Sequence, residues 1–354
     1  MKLDRDVVVT PARVRELLGP RGEGVEIATV DVVGESEGSA SRLRLALTFR
    51  DGNDGGLPAS MFLKRNLAEF TFPPEMYLTE CRFYRDLAPH LDLETPAVYG
   101  LEIDETTGAF VLLMEDLGAR ARLGIATDPV TPDEVASVLD DLAVLHAPYW
   151  ASERVRRDLP WLQRPDESTF VRFWQEAGPK LARKNLAGHR AAVVGDAPWV
   201  HDRLWPAFDR LVEELAGAPR TVLHGDVHIG NTYFVPGQRG GVLDWQLMLH
   251  GSWVVDVGYL LTSAFEPEVR ARHERDLLRE YLAALRAQGV DAPGDDDAWQ
   301  QYRRSAVWGV VMWVVTPDGV HTDAVQVTSL RRAVAAAEDL ESLALLEDEG
   351  SRHG

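Results

Sequence analysis

Asp226, Asn231 five residues later, and Asp244 beyond the next turn are the side chains in this sequence best suited to chemistry. They lie in TVLHGDVHIGNTYFVPGQRGGVLDWQLMLHGSWVVDVGYLL, residues 221 to 261. Phosphoryl transfer from a nucleotide needs a carboxylate that orients an attacking hydroxyl and accepts its proton. It also needs hard oxygen ligands for magnesium, which keeps several waters and takes only one or two protein carboxylates. Asp226 suits the first task, and Asn231 with Asp244 suits the second. A single Asp in a glycine-containing turn is ordinarily a cap or turn former, so the joint spacing carries the reading.

The elements that deliver these groups can be read from the same stretch. Val222 and Leu223 form an apolar approach to the polar turn HGDVHIGN. Thr232 to Val235 and Gly241 to Leu243 are short strands joined by Pro236, Gly237, Gly240 and Gly241, a hairpin that returns the chain to Asp244. A rival reading takes His224, Asp226 and His228 as alternating residues on one strand face, binding zinc or manganese in a metal-dependent hydrolase. Gly225 and Gly230 favour a loop over a strand.

HGDVHIGN followed by LDWQ resembles the catalytic and metal-binding segments of the aminoglycoside phosphotransferase and choline kinase-like family of small-molecule kinases, including its ecdysteroid-kinase-like branch. The resemblance implies an α+β, bilobal protein-kinase-like fold: an N-terminal antiparallel five-stranded sheet with one main helix, then a mainly helical C-terminal lobe. It implies ATP as donor, with GTP the alternative, Mg2+ as metal, and a small-molecule hydroxyl as acceptor. Asp226 becomes the catalytic base, and Asn231 and Asp244 the magnesium ligands. His224 and Asp256 fall where the family supports its catalytic loop. The lobes are expected at 1–115, binding nucleotide, and 116–354, carrying catalysis and acceptor binding.

Within the first lobe, Thr10 to Leu18 has a capping threonine followed by proline, the signature of a short helix. VEIATVDVV and SRLRLALTF alternate as strands should and flank the turn GESEGSA. A kinase-like lobe covers the nucleotide phosphates at that turn, where Gly34, Ser36, Gly38 and Ser39 could offer backbone amides. The stretch is not G-x-G-x-x-G, and Glu35 and Glu37 bring negative charge to it. Ala59 to Leu63 reads as a third strand ending in Lys64. Glu75 to Leu91 reads as a helix carrying Met76, Phe83 and Leu87. In the resembling fold Lys64 contacts the α- and β-phosphates and pairs with a glutamate on this helix; Glu80 is expected, with Glu75 competing. Pro96 to Ile103 and Ala109 to Met114 follow as strands, the second apolar enough to be covered on both faces. The chain then crosses lobes at EDLG, where backbone groups of Glu115 and Leu117 are implied to meet adenine.

In the second lobe Thr131 opens TPDEV, a capping box with Glu134, before a helix with a wide apolar stripe ending near His146. His146 is read as a structural donor beneath the catalytic loop. All ten tryptophans begin at Trp150; core filling is the default, with some free to line an acceptor pocket. Further helices are expected at 206–215, 268–288, 299–315 and 329–346, with Asp291 to Asp297 a solvated loop and the last eight residues frayed.

With 354 residues the chain can bury a large core. The net charge of −19 argues against a nucleic-acid partner. The lone Cys81 excludes internal disulfides and multi-cysteine metal sites, and is read as a buried thiol. No leader-like or membrane-length apolar run is present, so a cytoplasmic location is expected. A kinase-shaped regulatory protein without turnover is the remaining alternative.

Overall fold

A computed structural model of the chain describes residues 9–36, 40–66, 74–195 and 197–348. These group into two compact units, one reaching to His90 and including Thr95–Arg122, the other comprising Leu91–Glu94 and everything from Leu123 onward.

In the first unit, helix α1 (Pro11–Leu18) starts where the Thr10 side chain accepts the Arg13 N–H at 3.2 Å, and stops at Gly19, whose φ is 53°. Strands β1 (Ile27–Ser36), β2 (Ser41–Phe49), β3 (Ser60–Asn66), β4 (Val98–Ile103) and β5 (Phe110–Glu115) form one sheet in the order β1-β2-β3-β5-β4. Every neighbouring pair is antiparallel. Alternation puts Leu43, Leu45, Leu47, Met61, Leu63, Val111 and Leu113 in one apolar cluster with Val14, Leu17 and Leu18 of α1. β5 is buried along both faces, as its uninterrupted apolar run predicts. Lys64 is therefore turned away from the cluster that holds Leu63. Helix α2 (Pro74–Arg82) continues through a wider turn, Phe83–Leu87, with Met76, Cys81, Phe83 and Leu87 buried.

Two local expectations change. β1 runs on to Ser36, so Gly34 and Ser36 stand in the ladder opposite Arg44 and Arg42 instead of in the turn; Glu37, Gly38 and Ser39 lie outside the described residues. β3 continues past Lys64 to Asn66, because the β2 ladder reaches Arg65 and the β5 ladder reaches Asn66.

The second unit is mainly helical: α3 (Pro132–His146), α4 (Thr169–Asn185), α5 (Leu204–Gly217), α6 (Val254–Ala264), α7 (Pro267–Ala287), α8 (Asp295–Val315), α9 (Asp323–Asp339) and α10 (Ser342–Asp348) are its principal helices. Its strands are short: β6 (Thr221–Leu223) pairs antiparallel with β9 (Leu249–Gly251), and β7 (Thr232–Phe234) with β8 (Gly241–Val242). All of α6 and the last eleven residues of α8 are buried around the helix circumference, which places these segments in the core. Trp245, Trp253, Trp308 and Trp313 are among the largest fully buried side chains, which makes core filling their first role. Residues 91–94 are fastened here because Asp141 accepts the Glu94 N–H at 2.9 Å and the Tyr233 hydroxyl donates to the Glu94 carbonyl at 2.9 Å.

The acidic stretch 291–297 is a loop only in its first half. Asp295, Asp296 and Asp297 form the first turn of α8, where their charge complements the helix N-terminus. The single helix expected at 329–346 is two, broken at Leu340 and Glu341, the latter with φ 55°. The tail after 348 lies outside the described residues.

The capping box of α3 is complete: Glu134 N–H donates to Thr131 Oγ1 at 3.2 Å, and Thr131 N–H to Glu134 Oε2 at 2.9 Å. Thr131→Ala is expected to destabilise the protein by about 1 kcal/mol, read as a lowered urea midpoint at constant slope. An unchanged midpoint would mean that solvent serves the Glu134 N–H equally well.

Candidate active site

β6 leads the chain, fully buried, into a loop that only glycine permits. At Gly225 φ is +83°, and an added Cβ would collide with the Leu247 carbonyl oxygen. The buried carboxylate of Asp256, in the first turn of α6, holds this turn by accepting the N–H groups of His224 and Gly225, each at 2.8 Å. His146 Nε2 lies 3.1 Å from the same carboxylate, and its Nδ1 is 2.7 Å from the Tyr281 hydroxyl. Burial and the Asp256 charge raise the Tyr281 pKa well above its ordinary value. The hydroxyl therefore stays protonated and donates to Nδ1, leaving the His146 hydrogen on Nε2, directed at Asp256.

His224 is equally committed. Its Nε2 donates to the Leu243 carbonyl at 2.9 Å, and its Nδ1 accepts the Asp226 N–H at 3.2 Å. With both ring nitrogens engaged by backbone, His224 cannot ligate a metal, which removes the three-ligand set His224, Asp226 and His228 and the hydrolase built on it. Among the described residues no cluster of three or more His, Cys, Asp or Glu side chains could hold an ion.

The three oxygen-bearing residues do come together. Asn231 Nδ2 donates to both the backbone carbonyl and Oδ2 of Asp226, each at 3.0 Å. This orientation follows from its partners, since the amide oxygen would face two acceptors if flipped. The Leu243 N–H donates to the Asn231 carbonyl at 2.7 Å, so the hairpin ties Asn231 to the residue before Asp244. Asp244 adopts a left-handed backbone, φ 66° and ψ 66°, rare outside glycine and tolerated by aspartate. The Asp226 pKa is raised well above the carboxylate range, by burial first and then by the Asp244 charge, with the Asn231 amide opposing. Asp226 and Asp244 thus act on each other electrostatically in a partly desolvated pocket. Asp226 and Asp244 are carboxylates and Asn231 an amide, hard-oxygen donors of the kind magnesium takes.

The first unit holds the other expected residues. Lys64 Nζ lies 2.6 Å from Glu80 Oε2, and both side chains are buried. Glu75, the competing partner, is exposed at the start of α2. At the end of β5 the Glu115 N–H is taken by the Ala97 carbonyl at 2.8 Å. Asp116 caps the following turn, accepting the Gly118 N–H at 3.1 Å and Arg44 Nε at 2.6 Å. The Leu117 carbonyl accepts from the N–H groups of Arg120 and Ala121 at 3.0 and 2.9 Å.

A ring cluster beside Asp226 escaped sequence reasoning. His228 Nε2 is 4.0 Å from Asp226 Oδ2, and the ring is surrounded by Tyr259, Trp313 and His321. Burial, then the neighbouring His321, pushes the His228 pKa down to about 3, so it stays neutral. Nothing in the spacing of residues 228, 259, 313 and 321 marks them as neighbours.

A model of the phosphotransferase enzyme family matches residues 44–300, well over half of the chain. No curated protein matches the sequence. Among solved structures, a candidate aminoglycoside phosphotransferase from Ralstonia eutropha superposes with a TM-score of 0.55 at 16% identity, covering 94% of this chain and 97% of its own. Spectinomycin phosphotransferase, in complex with ADP and spectinomycin, superposes with 0.54 at 13% identity, covering 95% and 100%. At such identities these likenesses concern the fold. With the family match spanning both the Lys64–Glu80 pair and the loop of Asp226, the chain belongs to the phosphotransferase enzyme family and is a small-molecule phosphotransferase.

Proposed function

We propose that the protein transfers the γ-phosphoryl group of ATP to a hydroxyl of a small organic molecule. The observation that carries this is the Asn231 amide donating to the Asp226 carboxylate at 3.0 Å, with the Leu243 N–H tying Asn231 to the residue before Asp244. Asp226 orients the acceptor hydroxyl and takes its proton as the oxygen attacks the γ-phosphorus and the bond to the ADP oxygen breaks. Asn231 and Asp244 would hold Mg2+, which supplies positive charge to the phosphate oxygens. His224, His146 and Asp256 keep the loop in shape without touching substrate.

Lys64, fixed by Glu80, serves the α- and β-phosphates. A buried ion pair is poor evidence for stability alone, since desolvation offsets much of the attraction, and a ligand-binding role explains its retention better. Gly34 and Ser36, at the end of β1, are assigned to the phosphates through their backbone amides. The Glu115 carbonyl and Leu117 N–H present acceptor then donor, which matches the 6-amino group and N1 of adenine. Guanine offers the opposite order, which favours ATP over GTP. In this reading residues 1–115 form the nucleotide lobe and 116–354 the catalytic and acceptor lobe.

Asp244→Ala tests the metal assignment. Titration of a fluorescent ATP analogue should show magnesium tightening binding in the native protein and failing to do so in the variant, a loss of about tenfold or more, equal to about 1.4 kcal/mol. Identical magnesium dependence in both proteins would remove Asp244 from the site.

A further inference from the structure

Arg239 takes part in no step described above, yet it sits at the tip of the hairpin that returns the chain to Asp244. Ser137 and Asp141 are one turn apart on α3, so they share a face, and both receive this hairpin. The Gly240 N–H lies 3.0 Å from Ser137 Oγ and 3.2 Å from the Ser137 carbonyl. Arg239 Nε stands 3.5 Å from Asp141 Oδ1, and Nη2 donates to the Asp92 carbonyl and, at 3.0 Å, to Asp92 Oδ2. The fit is close: a Cβ on Gly240 would collide with Val138 and Ser137 of α3, and one on Gly241 with the Tyr233 ring. Only Val242 and Leu243 separate Gly241 from Asp244, and the Leu243 N–H already binds the Asn231 carbonyl. Where the tip is held therefore decides where Asp244 arrives.

Asp141 is a costly residue to place beneath this tip. It is buried, and while Oδ1 accepts the Glu94 N–H, Oδ2 has no hydrogen-bond partner among the described residues. Arg239 faces it with opposite charge from the hairpin, and Glu94 and Asp92 with like charge from the 91–94 segment; Asp140, beside it on α3, also feels Arg239. Burial pushes the Asp141 pKa up to about 7, with the Glu94 N–H and the Arg239 charge opposing and the Glu94 and Asp92 charges adding. A carboxyl whose pKa is raised on folding stabilises the fold when protonated, and that contribution is lost as pH rises through about 7. Asparagine would keep the Glu94 contact without burying a charge, so stability does not account for an acid at this position. Tethering Arg239 does.

We propose that Arg239 is a positioning residue for phosphoryl transfer: held by Asp141 and Asp92, it fixes the β7–β8 hairpin and so the place of Asp244 beside Asn231, and the charge on Asp141 governs how firmly it does so. The proposal deepens the kinase reading above and rests on it. Ionised Asp141 grips the guanidinium from the buried side. Protonated Asp141 leaves Arg239 to Asp92, whose exposed carboxylate is screened by water and holds weakly.

The test titrates magnesium into the full chain with a fluorescent ATP analogue at about pH 8.5 and about pH 5.5, on either side of the Asp141 transition. At the higher pH, Asp141→Asn and Arg239→Gln should each need about tenfold more magnesium than the native protein for the same tightening of nucleotide binding, the scale on which residues behind metal ligands act. At the lower pH, Asp141→Asn should match the native protein within about twofold, because Asp141 is then protonated in the native chain as well. Protonation of the nucleotide and of the site is common to both proteins and cancels in this ratio. Hydrogen exchange without metal gives an independent readout: peptides spanning 232–243 should exchange faster in Asp141→Asn than in the native protein at the higher pH and equally at the lower. Urea unfolding should show Asp141→Asn at least as stable as the native chain, which a merely structural role for the acid would not allow. A ratio for Asp141→Asn that is the same at both pH values, or a folded Arg239→Gln with the native magnesium requirement, would overturn the proposal. Should Arg239→Gln fail to fold, the Asp141→Asn ratio decides. Nucleotide binding in the native protein that ignores magnesium altogether would instead remove the kinase reading, and the proposal with it.

Discussion

Asp226→Asn should lower phosphoryl transfer by about 10²- to 10⁴-fold, the range over which positioned acid/base groups contribute, while nucleotide binding persists. Asparagine suits the test because its amide oxygen can still accept from Asn231 Nδ2, leaving the loop geometry in place. The variant loses only the ability to take a proton. Stability should stay level or rise, because the native carboxylate is charged against burial and against Asp244 and Asp256. Activity falling as stability holds is the signature of a residue kept for chemistry. A loss below about tenfold would assign proton acceptance elsewhere, and a large loss of nucleotide affinity would mean that Asp226 holds the donor instead.

Removing Asp256 should have the second largest effect, through structure. Its carboxylate accepts from His224 N–H, Gly225 N–H and His146 Nε2, all buried. Asp256→Ala leaves those donors without partners in a place water does not reach. With each buried orphan costing about 1–3 kcal/mol, the expected destabilisation is about 3 kcal/mol or more. Asp256→Asn should fare little better, since its NH2 must face one of the same donors. Urea unfolding checks the stability, and kcat measured well below the midpoint checks whether the turn carrying Asp226 has slackened. A change within about 0.5 kcal/mol, the scale of an ordinary surface substitution, would show that the loop holds itself.

Much of this arrangement is legible in the chain. The hairpin that brings Asp244 back is announced by its turn residues, and β5 by its unbroken apolar run. Lys64 and Glu80 were paired by resemblance, and burial decides against Glu75, which sits in the exposed first turn of α2. The boundaries of the first hairpin were less legible. Gly34 and Ser36 look like turn residues by type, but ladder partners on β2 keep them in the strand. The break at Glu341 is silent for a similar reason: alanine- and leucine-rich periodicity continues across it, and the capping contacts that stop α9 depend on packing.

What the sequence determined by itself is therefore which carboxylates and amide stand at one turn, and an α+β chain with strands first and helices after; the pairing of Lys64 with Glu80 came from the family resemblance. Those features rest on local periodicity, turn chemistry and short spacings, which act over a few residues and survive in one dimension. Only the tertiary structure decided that both His224 nitrogens are spent on backbone, that Asp256 holds the turn, and that His228, Trp313 and His321 meet beside Asp226. These contacts join residues far apart in the chain. They are selected by how whole helices pack around buried polar groups, and no local pattern records that choice.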